Sequence, residues 1–180
     1  MSHSTTWNSL LSSHRISSRL VFCIAVALLL LVCCTEQVAV PMALRIGGMA
    51  PDLALFVAIA VGLLRGSDAG ALVGMGGAYL LTAIIPFSPG SFYFSHLLTG
   101  YAAGATRRML HADSLAAAAL VGCLGGLLSE ALFFLLSPRD LVTLAMAAFA
   151  QAVYGAVGVP IAFLLLRRLS RAIDDEDNIA

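Results

Sequence analysis

Charge falls almost entirely in the breaks between apolar runs in this chain, and that arrangement limits what it can fold into. Residues 51–108 show it best. The stretch begins PDLALFVAIAVGLLRGSDAGALVG and closes with LLTGYAAGATRR. It predicts three hydrophobic helices with charges only where the chain leaves the apolar phase. Pro51 and Asp52 predict a helix start: proline fits a first turn, and a carboxylate complements the positive end of the helix dipole. Arg65 and Gly66 predict the matching stop, a cation at the negative end and then a residue that accepts a left-handed cap. Ser67 or Asp68 can cap the next helix. Gly66, Gly70 and Gly74 recur every fourth residue, as do Gly100 and Gly104, and Gly122 and Gly126. That interval puts small residues on one helix face and lets a neighbour approach closely.

Composition supports the same class. The chain has 180 residues, 60% hydrophobic and 11% charged, with a mean hydropathy of +0.95. A soluble domain of this size could not hide so much apolar surface, whereas a polytopic membrane protein need not. The expected fold class is therefore all-α, a membrane bundle of about six transmembrane helices. The formal net charge of +0 gives no basis for a nucleic-acid partner or an acidic substrate.

Three regions follow. Residues 1–19 are a polar N-terminal segment, 20–171 the transmembrane bundle, and 172–180 an acidic tail without regular structure. The expected spans are about 20–40, 52–64, 69–85, 92–106, 114–136 and 141–166, with Pro160 kinking the last. The first run could instead be a cleaved signal peptide, but it ends VCCTEQ, with no small-x-small site. The second span is short, about 20 Å against a hydrocarbon core of about 30 Å. It should extend at one end or sit beside a thinned bilayer. Pro86 begins a turn, and Phe87, Phe92, Tyr93 and Phe94 suit an interfacial belt. With both termini cytoplasmic, Arg15, Arg19, Arg65, Arg107, Arg108, Arg167, Arg168 and Arg171 all fall inside. Only Arg45 and Arg139 fall outside.

Few residues carry chemistry. Cys23, Cys33, Cys34 and Cys123 lie in apolar runs without a zinc spacing, so no metal site is expected. His96 reads as an interfacial residue at the start of span four. No nucleotide loop, nucleophile elbow or paired carboxylates appear, so no catalytic residue and no cofactor-binding residue is assigned. Glu130 is the exception, an acid about 10 Å inside span five by helical rise. A charge that deep costs roughly 2.5–3.5 kcal/mol on insertion scales, so it should face protein or water. Gln151, on span six, is its candidate donor.

Several of these residues also carry a resemblance. The run from Pro51 to Gly74, LTGYAAGATRR with Gly100 and Tyr101, the glutamate of LLSEALFFLL (Glu130) and the Arg-rich end of the last span together resemble the MreD family. The resemblance covers about residues 51–171. MreD proteins are bacterial inner-membrane components of the rod-shape, or elongasome, machinery. Members often carry an acidic residue in the third span, where this chain has Thr82. The resemblance implies a non-enzymatic scaffold that binds MreC and, through it, RodA, a class B penicillin-binding transpeptidase and MreB. It also implies a fold similar to the S subunits of energy-coupling-factor transporters, in the plasma membrane with both termini inside. The residues expected to pack helices or bind partners are Pro51, Asp52, Arg65, Gly66, Gly70, Gly74, Gly100, Tyr101, Glu130 and Gln151, with membrane lipid as a further partner. The alternative is an S subunit for uptake of a small solute such as a vitamin. Ser91, Tyr93, Ser95 and His96 are the polar groups available for that on the outer side.

Overall fold

A computed structural model describes residues 4–85, 88–109 and 114–179. Its elements are α1 (Ser4–Ala39), α2 (Leu53–Arg65), α3 (Ser67–Ile84), α4 (Pro89–Thr106), α5 (Leu115–Leu136) and α6 (Leu141–Ile179), with a 3-10 turn at Met42–Leu44. The described fold is all-helical. Three stretches are long and apolar enough to cross a membrane: Leu20–Gln37, Leu115–Leu136 and Leu141–Ile173. His3, Pro86, Phe87 and His111 lie outside the described residues, so the turn and belt expected at Pro86 and Phe87 are not addressed.

The shortest helix is the centre. Every residue of α2 from Ala54 to Leu63 is buried, and the helix touches all five others. A helix that is hydrophobic on all sides belongs in an interior. Protein therefore surrounds the short α2 on all sides, and Gln151 satisfies the irregular backbone just before it. Asp52 caps the start, its side chain accepting from the Leu55 N–H at 3.0 Å. The helix therefore begins at Leu53, and Pro51 lies just outside it rather than in its first turn.

Glycines bring the helices to backbone contact. A Cβ added at Gly70 would lie 2.8 Å from the Gly62 Cα and closer still to the Gly100 carbonyl. One at Gly74 would strike the His96 carbonyl, and one at Gly104 would strike Ser67. The seam is thus Gly62, Gly70 and Gly74 against Gly100 and Gly104. Gly66 meets the seam only through its backbone, which lies against Gly104, since a Cβ on Gly66 itself would meet nothing within 4 Å. Its φ of 102° instead makes the α2–α3 turn, a conformation that side chains disfavour. Gly66 also occupies the N-cap position of α3, so neither Ser67 nor Asp68 is the cap. A second seam joins α5 to α6, where Gly122 and Gly155 each face the other's carbonyl and Gly126 faces that of Gln151.

Helix α1 is attached more lightly. Phe22, Val26, Leu30 and Cys34 are buried, one stripe at four-residue spacing, while Leu20, Val21, Ile24, Leu28, Leu31 and Val32 are exposed. At its other limit the chain departs from expectation again. The acidic run at 174–177 continues the α6 helix to Ile179 instead of forming an irregular tail. Helix α6 also runs through Pro160. The helical backbone of α1 begins at Ser4, within the segment read only as polar.

Candidate functional site

The buried end of α2 gathers the polar side chains of the molecule. The same carboxylate that caps α2 also meets α4, with Asp52 Oδ2 lying 2.9 Å from His96 Nε2. The distance is that of an ion pair. His96 is 1% exposed, so the interfacial position expected for it is corrected to a core one. Its Nδ1 sits 3.3 Å from Ser95 Oγ, and its ring lies tilted against Phe92. Phe92 in turn packs edge-on to Phe133 at 5.0 Å between centroids.

Ser95, His96 and Asp52 are therefore in line, as in a hydrolytic relay. However, the Ser95 hydroxyl donates to its own helix, to the Phe92 carbonyl at 3.2 Å. Ser95 is also 1% exposed, so its oxygen is not offered as a nucleophile.

Helix α6 supplies the second layer. Gln151 Nε2 donates to the Ala50 carbonyl at 3.0 Å, and Gln151 Oε1 accepts from the Asp52 N–H at 3.4 Å. One turn on, the Tyr154 hydroxyl accepts from the Ile46 N–H and donates to the Leu44 carbonyl, both at 2.6 Å. Together they fasten the α1–α2 connection to α6. Gln151 is thereby engaged by backbone and is not the donor expected for Glu130. At the same end, Ser88, Ser91 and Ser137 form a hydroxyl trio that joins the start of α4 to the end of α5.

Glu130 and Gln151 nonetheless line one cavity of about 160 Å³, together with Gln37, Asp52, His96, Ser129 and Arg139. Arg139, Asp52 and His96 are all near enough to interact electrostatically with Glu130. The Arg139 guanidinium also lies over the Phe133 ring, 4.6 Å from its centroid. Two carboxylates face one guanidinium and one imidazole, so the cavity holds groups of both signs. Removing one member of such a set would strand another in a poorly solvated place. Among the described residues no three His, Cys, Asp or Glu side chains converge as metal ligands.

No family model, curated protein or solved structure matches this chain.

Of the residues singled out from sequence, the fold brings Asp52, Glu130 and Gln151 into one site. Gly70, Gly74 and Gly100 lie on the α2–α3–α4 seam, and Pro51 flanks the cluster. Arg65, Gly66 and Tyr101 lie together around a different recess, at the far end of α2. Sequence reasoning missed Arg139, Gln37 and Gly62 as site residues, and named His96 only as an interfacial residue or a polar group for a solute. The available signal for His96 was its place inside an apolar run, where an ionisable group calls for a partner.

Proposed function

We propose that this chain is an MreD-like, non-enzymatic scaffold of a bacterial inner membrane. In this reading it crosses the membrane six times, with both termini in the cytoplasm. It acts through MreC, and so with RodA, a class B penicillin-binding transpeptidase and MreB, to support lateral peptidoglycan synthesis and rod shape. The observation that carries the reading is the contrast in how the helices are held. Helices α2 to α6 are joined by backbone-close glycine seams and a buried ion cluster, whereas α1 contributes one buried stripe of side chains and Gln37 on the cavity lining. That is a rigid body with lateral apolar faces left for other membrane proteins.

The arginines support the topology. Arg65, Arg107 and Arg108 share one recess, and Arg65 reaches Ser170 near the Arg-rich end of α6. Arg139 lines the cavity at the opposite end of α2. That polarity suits a positive cytoplasmic side. The buried polar cavity, of about 160 Å³, is below the roughly 300–1,000 Å³ of most small-molecule sites, so the ion cluster is read as structural and not as a solute site.

Co-purification from the native membrane tests the choice. Recovery of MreC, with loss of the protein rounding rod-shaped cells and leaving solute uptake unchanged, is the expected result. Recovery of a transporter energising module, with normal rods and a vitamin requirement, would reverse it.

A further inference from the structure

Two recesses outside the ion cluster meet at Arg65. The first is a lateral groove of about 530 Å³ between α1, α2 and α3. Phe22, Val26 and Leu30 form one wall and Leu72 and Val73 the other, with Val61 between them. Among the described residues, Arg65 is the one charged side chain in this lining. From Phe22 to Leu30 the groove follows α1 for about 12 Å at 1.5 Å per residue. The second recess is a cleft of about 830 Å³ at the α2–α3 turn and the end of α4. Among the described residues, Arg65, Arg107 and Arg108 line it with one carboxylate, that of Asp68, an excess of positive charge within that set.

Arg65 is fixed at the junction. Its guanidinium lies 4.3 Å from the Phe22 ring centroid and donates to Ser170 Oγ at 2.9 Å. A guanidinium has five N–H donors, so the bond to Ser170 leaves others for a ligand.

We propose that the two recesses form one site for an anionic phospholipid. Its phosphate is held by Arg65, Arg107 and Arg108, and one acyl chain lies in the groove between α1 and α3. The site does not depend on which protein partners the scaffold has. The chemistry matches at both ends. Planar guanidinium forks bind phosphate oxygens bidentately, and basic pockets between helices at the cytoplasmic side suit anionic headgroups. A transmembrane helix fits less well. It would need about 30 Å of continuous contact, whereas the groove runs about 12 Å by helical rise and ends at a cation.

Native mass spectrometry of the full chain in detergent, with phosphatidylglycerol or phosphatidylcholine added, tests the site. One phosphatidylglycerol should stay bound under activation that strips phosphatidylcholine. The double variant Arg107→Gln/Arg108→Gln should lower phosphatidylglycerol retention to the phosphatidylcholine level. Gly76→Leu should weaken phosphatidylglycerol retention about tenfold. A Cβ at Gly76, on the groove lining, meets nothing within 4 Å, so the added side chain enters the groove without a backbone clash. Circular dichroism of both variants should match the parent. Equal retention of the two lipids overturns the proposal, as does normal retention in the double variant. Loss in the double variant with none in Gly76→Leu removes the acyl-chain half and overturns it too. Inorganic phosphate displacing phosphatidylglycerol from the parent would show that the basic cleft takes free phosphate and does not hold a lipid.

Discussion

Replacing Asp52 with alanine should be among the most damaging single changes outside the glycine seams. Asp52 does two jobs with its two carboxylate oxygens. Oδ1 caps α2 through the Leu55 N–H, and Oδ2 contacts His96. Losing a cap costs about 1 kcal/mol. Removing one partner of a buried ion pair costs about 3–5 kcal/mol, because the other is stranded. The combined loss is about 4–6 kcal/mol, against a typical total stability of about 5–15 kcal/mol. For a chain of this length that is a fall of about 10–20 °C in melting temperature. Asp52→Asn separates the two jobs. Asparagine caps as well as aspartate and can still meet His96 with a polar atom, so its loss should be less than half as large. Asp52→Asn combined with His96→Gln removes both charges and should be no worse than Asp52→Asn alone. Thermal unfolding in one detergent, followed by circular dichroism, reads all three. An Asp52→Ala protein that melts within about 3 °C of the parent would refute the reasoning. Equal losses for alanine and asparagine would show that the cap contributes nothing.

The remaining predictions are shorter. Gly122→Ala and Gly155→Ala should each reduce the folded yield, since the added Cβ meets a facing backbone carbonyl, while Gly76→Ala should be neutral; equal yields from all three would remove the seam argument. Tyr154→Phe leaves the Ile46 N–H without its partner and should cost about 1–3 kcal/mol, seen as faster proteolysis of the α1–α2 connection. Glu130→Gln should be tolerated and Glu130→Leu should lower abundance; full function of the leucine variant would mean the carboxyl has no structural role. Asp140 is held below its ordinary value of 3.8 by the Thr143 N–H and hydroxyl. Its capping contribution is thus complete above that value and lost as pH falls through the lower folded one. Asp140→Asn should flatten the stability profile in that acid range and leave neutral pH unchanged.

Much of the fold is determined by local sequence. The apolar runs and their breaks fix where helices begin and end, because a helix satisfies its own backbone in any apolar solvent. The Arg65–Gly66 stop is legible for the same reason, as cation and positive-φ glycine act on the residues next to them. The four-residue glycine spacing shows which helix faces can approach. The sequence alone also marks Glu130 as a group that needs company.

What it leaves open is the company itself. Asp52 and His96 are 44 positions apart in sequence, and Gln151 is 99 from Asp52. Nothing in local spacing pairs them, because contact depends on how α2, α4 and α6 are arranged around one another. The same arrangement decides that α2, too short to span a bilayer comfortably, is enclosed by its neighbours. It also decides that Gly62 joins the seam while Gly66 meets it only through its backbone. Periodicity specifies a face, but only packing of whole helices determines what that face meets.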